Sequence, residues 1–95
     1  MNFNNEFLNK TVLVTGGTKG IGRGIAEIFL SQSANVVVCG RSKPKTLPSH
    51  IDKSAQFIEC DVRDPNQIKN LIDQILKTHK SIDILINNAG GGPPI

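Results

Sequence analysis

Tryptophan and tyrosine are absent from the 95 residues, and the aromatic side chains are four phenylalanines. That leaves no stacking platform of the kind that single-stranded nucleic-acid binders present. Positive charge is also in short supply: the formal net charge is +3, and the basic residues are scattered from Lys10 to Lys80 instead of gathering on one element. No nucleic-acid partner is expected. No run approaches the roughly 18 consecutive apolar residues of a membrane span. The opening MNFNNEF has neither the basic segment nor the apolar run of a signal peptide. The chain is therefore read as cytoplasmic, with no membrane partner. Its two cysteines, Cys39 and Cys60, each end an apolar run and match no zinc-ligand or CxxC spacing. They are expected as buried free thiols, with no metal site.

What is present is a regular succession of short apolar runs: residues 11–15 (TVLVT), 35–39 (NVVVC), 56–60 (QFIEC) and 83–87 (DILIN). Runs that are apolar at consecutive positions suit strands covered on both faces, as parallel sheets are. Between the first two, Ile21, Ile25, Ile28 and Phe29 recur at helical spacing and predict one apolar helix face. Between the last two, Ile68, Leu71, Ile72, Ile75 and Leu76 repeat that spacing. Asp64 is placed to cap this second helix, Pro65 suits its first position, and Gln67 is placed to reach back in a capping box. Residues 40–54 hold Pro44 and Pro48 without long apolar periodicity, and predict a loop or a single short turn.

This order predicts a single α/β domain built on a parallel sheet, and right-handed crossovers favour the strand order 3-2-1-4. The fourth strand then lies at an edge, carrying Ile84 and Ile86. In such a sheet the chain reverses direction between the first and fourth strands, and ligands bind in the crevice at their carboxyl ends. The walls of that crevice are expected at residues 16–22 and 88–92.

Residues 15–22 read TGGTKGIG, directly after a strand and directly before an amphipathic helix. A tight turn needs positive φ, a pyrophosphate needs backbone without a Cβ in its way, and close helix packing needs a small residue. The helix start adds unpaired amides and a partial positive charge, contributing roughly 0.3–1 kcal/mol per neighbouring anion. The spacing is GxxxGxG at Gly16, Gly20 and Gly22. A Walker A loop fails, because Arg23 and Gly24 stand where Lys and Ser or Thr belong.

TGGTKGIG at 15–22 together with NNAG at 87–90 resembles the short-chain dehydrogenase/reductase (SDR) family, each motif following the strand where that family has it. The resemblance runs from Lys10 to Gly90. It implies a Rossmann-like, truncated doubly wound sheet and an oxidoreductase that transfers hydride between nicotinamide and a small carbonyl or alcohol substrate. It further implies that Gly16, Thr18, Lys19 and Ile21 line the pyrophosphate and ribose, with Gly20 and Gly22 in the same loop. Asp61 and Val62 would contact the adenine, and Asn88, Ala89 and Gly90 would lie under the adenosine ribose. Asn87 would be structural. Taken alone, Asp61 also reads as a turn former or cap.

The ribose-reading residue lies about 20 residues beyond the glycine loop, at the end of strand two. There the sequence is VVVCGRS, with no acidic side chain and with Arg41. A guanidinium can grip a 2′-phosphate bidentately, and Lys19 adds a second cation. NADP (NADPH) is therefore expected in preference to NAD. In the family the proton comes from a tyrosine, assisted by a lysine and a serine, all downstream of NNAG. With no tyrosine, and with His50 and His79 outside the crevice, no catalytic residue is assigned here. The chain is read as the N-terminal, coenzyme-binding part of an enzyme that is a homo-oligomer when intact, and as inactive alone. The other reading is a non-catalytic NADP-binding or subunit-pairing module. Residues 40–54 depart from the family, where a longer helix commonly follows strand two.

Overall fold

In a computed structural model, which describes residues 5–88, the apolar runs become the strands of one sheet. The elements are β1 (Thr11–Thr15), α1 (Gly20–Ser31), β2 (Asn35–Gly40), β3 (Ser49–His50), β4 (Lys53–Ser54), β5 (Gln56–Glu59), α2 (Pro65–Thr78) and β6 (Ile84–Asn87). The main sheet has the order β5-β2-β1-β6 with every pairing parallel. Counting its members alone, this is the 3-2-1-4 arrangement expected from right-handed crossovers.

The sheet is covered on both faces, which is why its strands are apolar at consecutive positions. Val12, Val14, Val36 and Val38 face α1 and pack with Ala26 and Leu30. Leu13, Val37, Cys39 and Ile58 face the other way and pack with Leu71 and Ile75 of α2. Both cysteines are free and buried, as expected.

The apolar face of α1 is rotated from the one its isoleucines suggest. The buried stripe is Gly22, Ala26 and Leu30, with Ile25 and Phe29 flanking it half-buried. Ile21 and Ile28 instead stand 79% and 58% exposed. Small residues at 22 and 26 let the helix lie close to the strands, so the contact line follows size and not hydropathy. In α2, Leu71 and Ile75 are buried as the periodicity predicts, while Ile68 and Leu76 are exposed.

Asp64 caps α2 by accepting from the Asn66 amide at 2.9 Å, and Pro65 occupies the first turn. Gln67 does not close the expected capping box on the Asp64 amide. Its Oε1 accepts from the Asp61 amide at 2.8 Å, and its Nε2 donates to the Asp64 carboxylate at 3.3 Å. The Asp64 amide goes to the Asp61 carbonyl, so the side chain reaches past it. Asp64→Ala is expected to lower stability by about 1 kcal/mol, read as a lower denaturant midpoint with unchanged slope.

The segment 40–54 carries no helix, but it is not wholly irregular. β3 and β4 pair antiparallel about a tight turn at Ile51, which holds a positive φ of 55°. A β-branched residue there is an outlier in turn chemistry, which explains why the hairpin left no signal. Among the described residues β6 is an edge strand. Ile84 and Ile86 are half-buried on the α1 side, and the exposed side chain is Leu85, at 59%.

Candidate functional site

All four carboxyl ends of the main strands open into one cleft of about 850 Å³. The loop after β1 contributes Gly16, Thr18, Lys19 and Gly20. The segment after β2 contributes Arg41, Ser42, Lys43 and Pro44, the turn after β5 Asp61, Val62 and Arg63, and the end of β6 Asn88. Cys39, Gly40 and Cys60 complete its lining. This is the switch point at which open α/β sheets bind ligands.

Of the residues expected at the site, Gly16, Thr18, Lys19, Gly20, Arg41, Asp61, Val62 and Asn88 are brought together. Ile21 and Gly22 do not line the cleft: Ile21 projects outward and Gly22 is buried beneath the loop. Ala89 and Gly90 lie outside the described residues. Neither His50 nor His79 lines it. Lys43 and Arg63 were missed. Lys43 was within reach, since it stands two residues beyond Arg41 in the same loop.

The glycine loop is built by backbone demands. Gly16 has φ 65°, in the left-handed region that favours glycine, and its amide donates to the Cys39 carbonyl at 3.0 Å. A Cβ on Gly22 would collide with the Gly16 carbonyl and fall 2.5 Å from Asn88 Nδ2. Asn88 Nδ2 in turn donates to the Gly16 carbonyl at 3.2 Å. The Thr15 hydroxyl donates to Asn87 Oδ1 at 3.2 Å and accepts from the Asn88 amide at 3.0 Å. The two motifs 73 residues apart, at Thr15 and Asn88, are thus one hydrogen-bonded unit.

The two helices begin differently. Asp64 caps α2, whereas α1 starts at Lys19 with no side-chain cap and no acidic residue in its first turn. Amides at an uncapped start suit an anion in the cleft. Lys19, Arg41, Lys43 and Arg63 line the same space, and Asp61 is the one carboxylate among the described lining residues.

That carboxylate is already engaged. Arg63 donates to it through Nε at 3.0 Å and Nη2 at 2.9 Å, and the Arg63 amide adds a bond of 3.0 Å. These bonds, with a smaller contribution from the charge of Arg41, hold the Asp61 pKa at about 2, below its ordinary 3.8. A depressed folded-state pKa contributes stability that is present above pH ~4 and lost as pH falls toward 2. Asp61→Asn is expected to flatten the pH dependence of unfolding across that acid window. An unchanged slope would show that the pair contributes nothing. At the cleft floor, burial pushes the Cys39 thiol up to about 11, so it is an inert wall at neutral pH.

The short chain dehydrogenase family model matches residues 10–94 of this chain. L-fucose dehydrogenase of Bos taurus is 34% identical to it over 95 aligned residues, covering 94% of this chain and 33% of that protein. The chloroplastic chlorophyll(ide) b reductase NOL of Oryza sativa subsp. japonica is 43% identical over 86 residues, covering 83% and 25%. Among solved structures, the aldohexose dehydrogenase of Thermoplasma acidophilum superposes with a TM-score of 0.76 at 40% identity, over 90% of this chain and 31% of that one. A short chain dehydrogenase of Bacillus anthracis gives 0.80 at 36%, over 90% and 36%. The chain spans about a third of the length of the curated relatives it matches. A cleft at the strand ends, a glycine loop joined to the Asn87–Asn88 pair, and these likenesses agree: the chain belongs to the short-chain dehydrogenase family.

Proposed function

We propose that the cleft binds NADP(H) in preference to NAD(H), and that the chain is the coenzyme-binding portion of a reductase or dehydrogenase acting on a small carbonyl or alcohol. The family is one of oxidoreductases that use nicotinamide coenzymes. The single observation that carries the preference is that Lys19 and Arg41 line one cleft while β2 ends in Gly40 with Arg41, and no acidic residue, directly after it. An acidic side chain there would accept from the free ribose hydroxyls of NAD and repel a phosphate.

The residues present fit the group. Gly16 leaves room for an anion with no Cβ in its way, and the uncapped first turn of α1 offers it backbone amides. Arg41 and Lys19 supply cations for a 2′-phosphate, and Asp61 and Val62 line the same cleft after β5, where an adenine edge would lie. When bound, the nicotinamide supplies or accepts the hydride. Gly16, Thr18 and Lys19 bind and orient, and Asn88 fixes the loop from beneath.

No residue of this chain is assigned to move the proton, since it holds no tyrosine. The purified 95-residue chain is accordingly expected to bind NADPH without consuming it in the presence of carbonyl substrates. Sustained loss of NADPH absorbance dependent on such a substrate would contradict this. The coenzyme reading itself is tested by titrating NADPH and NADH side by side. A tighter NADPH curve supports it, and equal curves refute the preference.

A further inference from the structure

The residue that organises the selective lip of the cleft does not line it. Arg23 sits in the first turn of α1, outside the cleft, and its guanidinium is used on every edge. Nη1 donates to the Thr18 carbonyl at 3.1 Å and to the Thr46 carbonyl at 2.9 Å. Nη2 donates to Thr46 Oγ1 at 3.1 Å and to the Leu47 carbonyl at 3.1 Å. Nε faces Glu27 at 3.4 Å. Thr18 belongs to the glycine loop, and Thr46 and Leu47 belong to the segment that carries Arg41 and Lys43.

Among the described residues, the hydrogen bonds that reach residues 41–47 from outside the segment all come from Arg23. Beyond them the segment is fixed only at its ends, by β2 and by the buried Pro48. A stretch with no internal ladder has many conformations of similar energy, and one planar five-donor group removes most of them. Lysine, with three donors on a flexible stem, cannot reproduce that fork.

We propose that Arg23 is a positioning residue for coenzyme selection: it clamps the segment 41–47 to the glycine loop and so presets Arg41 opposite Lys19 for the 2′-phosphate. This rests on the NADP reading above. It makes Arg23 a determinant of the NADPH-to-NADH ratio without contact with either coenzyme.

The test is a double-mutant cycle in the full chain, with dissociation constants for NADPH and NADH measured by fluorescence titration. Arg23→Gln is expected to weaken NADPH about tenfold, a loss of the order of one charged hydrogen bond, and to change NADH by less than about twofold. In an Arg41→Ala background the same change should leave the NADPH-to-NADH ratio where it is. Trypsin should cut the coenzyme-free variant faster after Arg41 and Lys45 than it cuts the wild type, while the sheet core keeps its resistance. Should Arg23→Gln fail to fold, Thr46→Val removes only the hydroxyl acceptor and carries the same test, with a smaller shift in the same direction. Wild-type chain that binds both coenzymes equally would sink the NADP reading. Wild-type preference for NADPH, with Arg23→Gln lowering both affinities alike or neither, would sink the clamp alone.

Discussion

Arg41→Asp is expected to weaken NADPH binding at least tenfold and to leave NADH binding unchanged or tighter, reversing the preference. The change removes a charge-assisted pair from the 2′-phosphate, roughly 1.5–3 kcal/mol or about ten- to a hundredfold in affinity. It also places a carboxylate where a phosphate would otherwise lie, so repulsion adds to the loss. For NADH the sign differs, because a carboxylate at the end of β2 accepts from free ribose hydroxyls. Arg41 is exposed, so folding stability should move by no more than about 0.5 kcal/mol. Binding curves for both coenzymes, with a thermal melt as control, separate these effects. An unmoved ratio would remove Arg41 from the site.

The second large effect lies under the loop, not at its surface. Gly22→Ala is expected to cost about 1–3 kcal/mol of stability and to abolish measurable coenzyme binding, because the added carbon drives against rigid backbone. The Gly16 carbonyl it meets accepts from Asn88 Nδ2 on that same side, so the added carbon drives into both partners and opens the join between the two motifs. Two residues along the same helix, a Cβ on Gly24 meets open space. Gly24→Ala should stabilise the chain by roughly 0.5–1 kcal/mol through the ordinary helix preference. Opposite signs at 22 and 24 would locate the constraint in the loop contact. Equal effects would mean that glycine serves only as a helix breaker at both.

The sheet was legible because its signals are cheap to read. Runs such as VLV in β1 and VVV in β2 are buried on both faces, and handedness then leaves few strand orders. The face of α1 was misread because Gly22 and Ala26 carry the contact, and small side chains weigh little in any reading by hydropathy. The hairpin at 49–54 was illegible for a related reason: its turn is made by Ile51, with no glycine or asparagine to announce it.

The site shows the same division. TGGTKGIG and the two asparagines at 87–88 were readable as a pattern, and their joint bonding through Thr15 is the physical content of that pattern. Arg63 was not readable as a partner of Asp61, since nothing in the sequence says which way a turn residue will fold back. Arg23 was hidden more deeply. Its acceptors are mostly main-chain carbonyls, which every residue has, so the contact leaves no trace in side-chain identity.

The most direct test is a crystal structure of the chain with NADPH bound. The account requires the pyrophosphate over Gly16–Lys19 and the start of α1, with the 2′-phosphate between the side chains of Lys19 and Arg41. A pyrophosphate bound away from the glycine loop, or a 2′-phosphate turned from both cations into solvent, would contradict it.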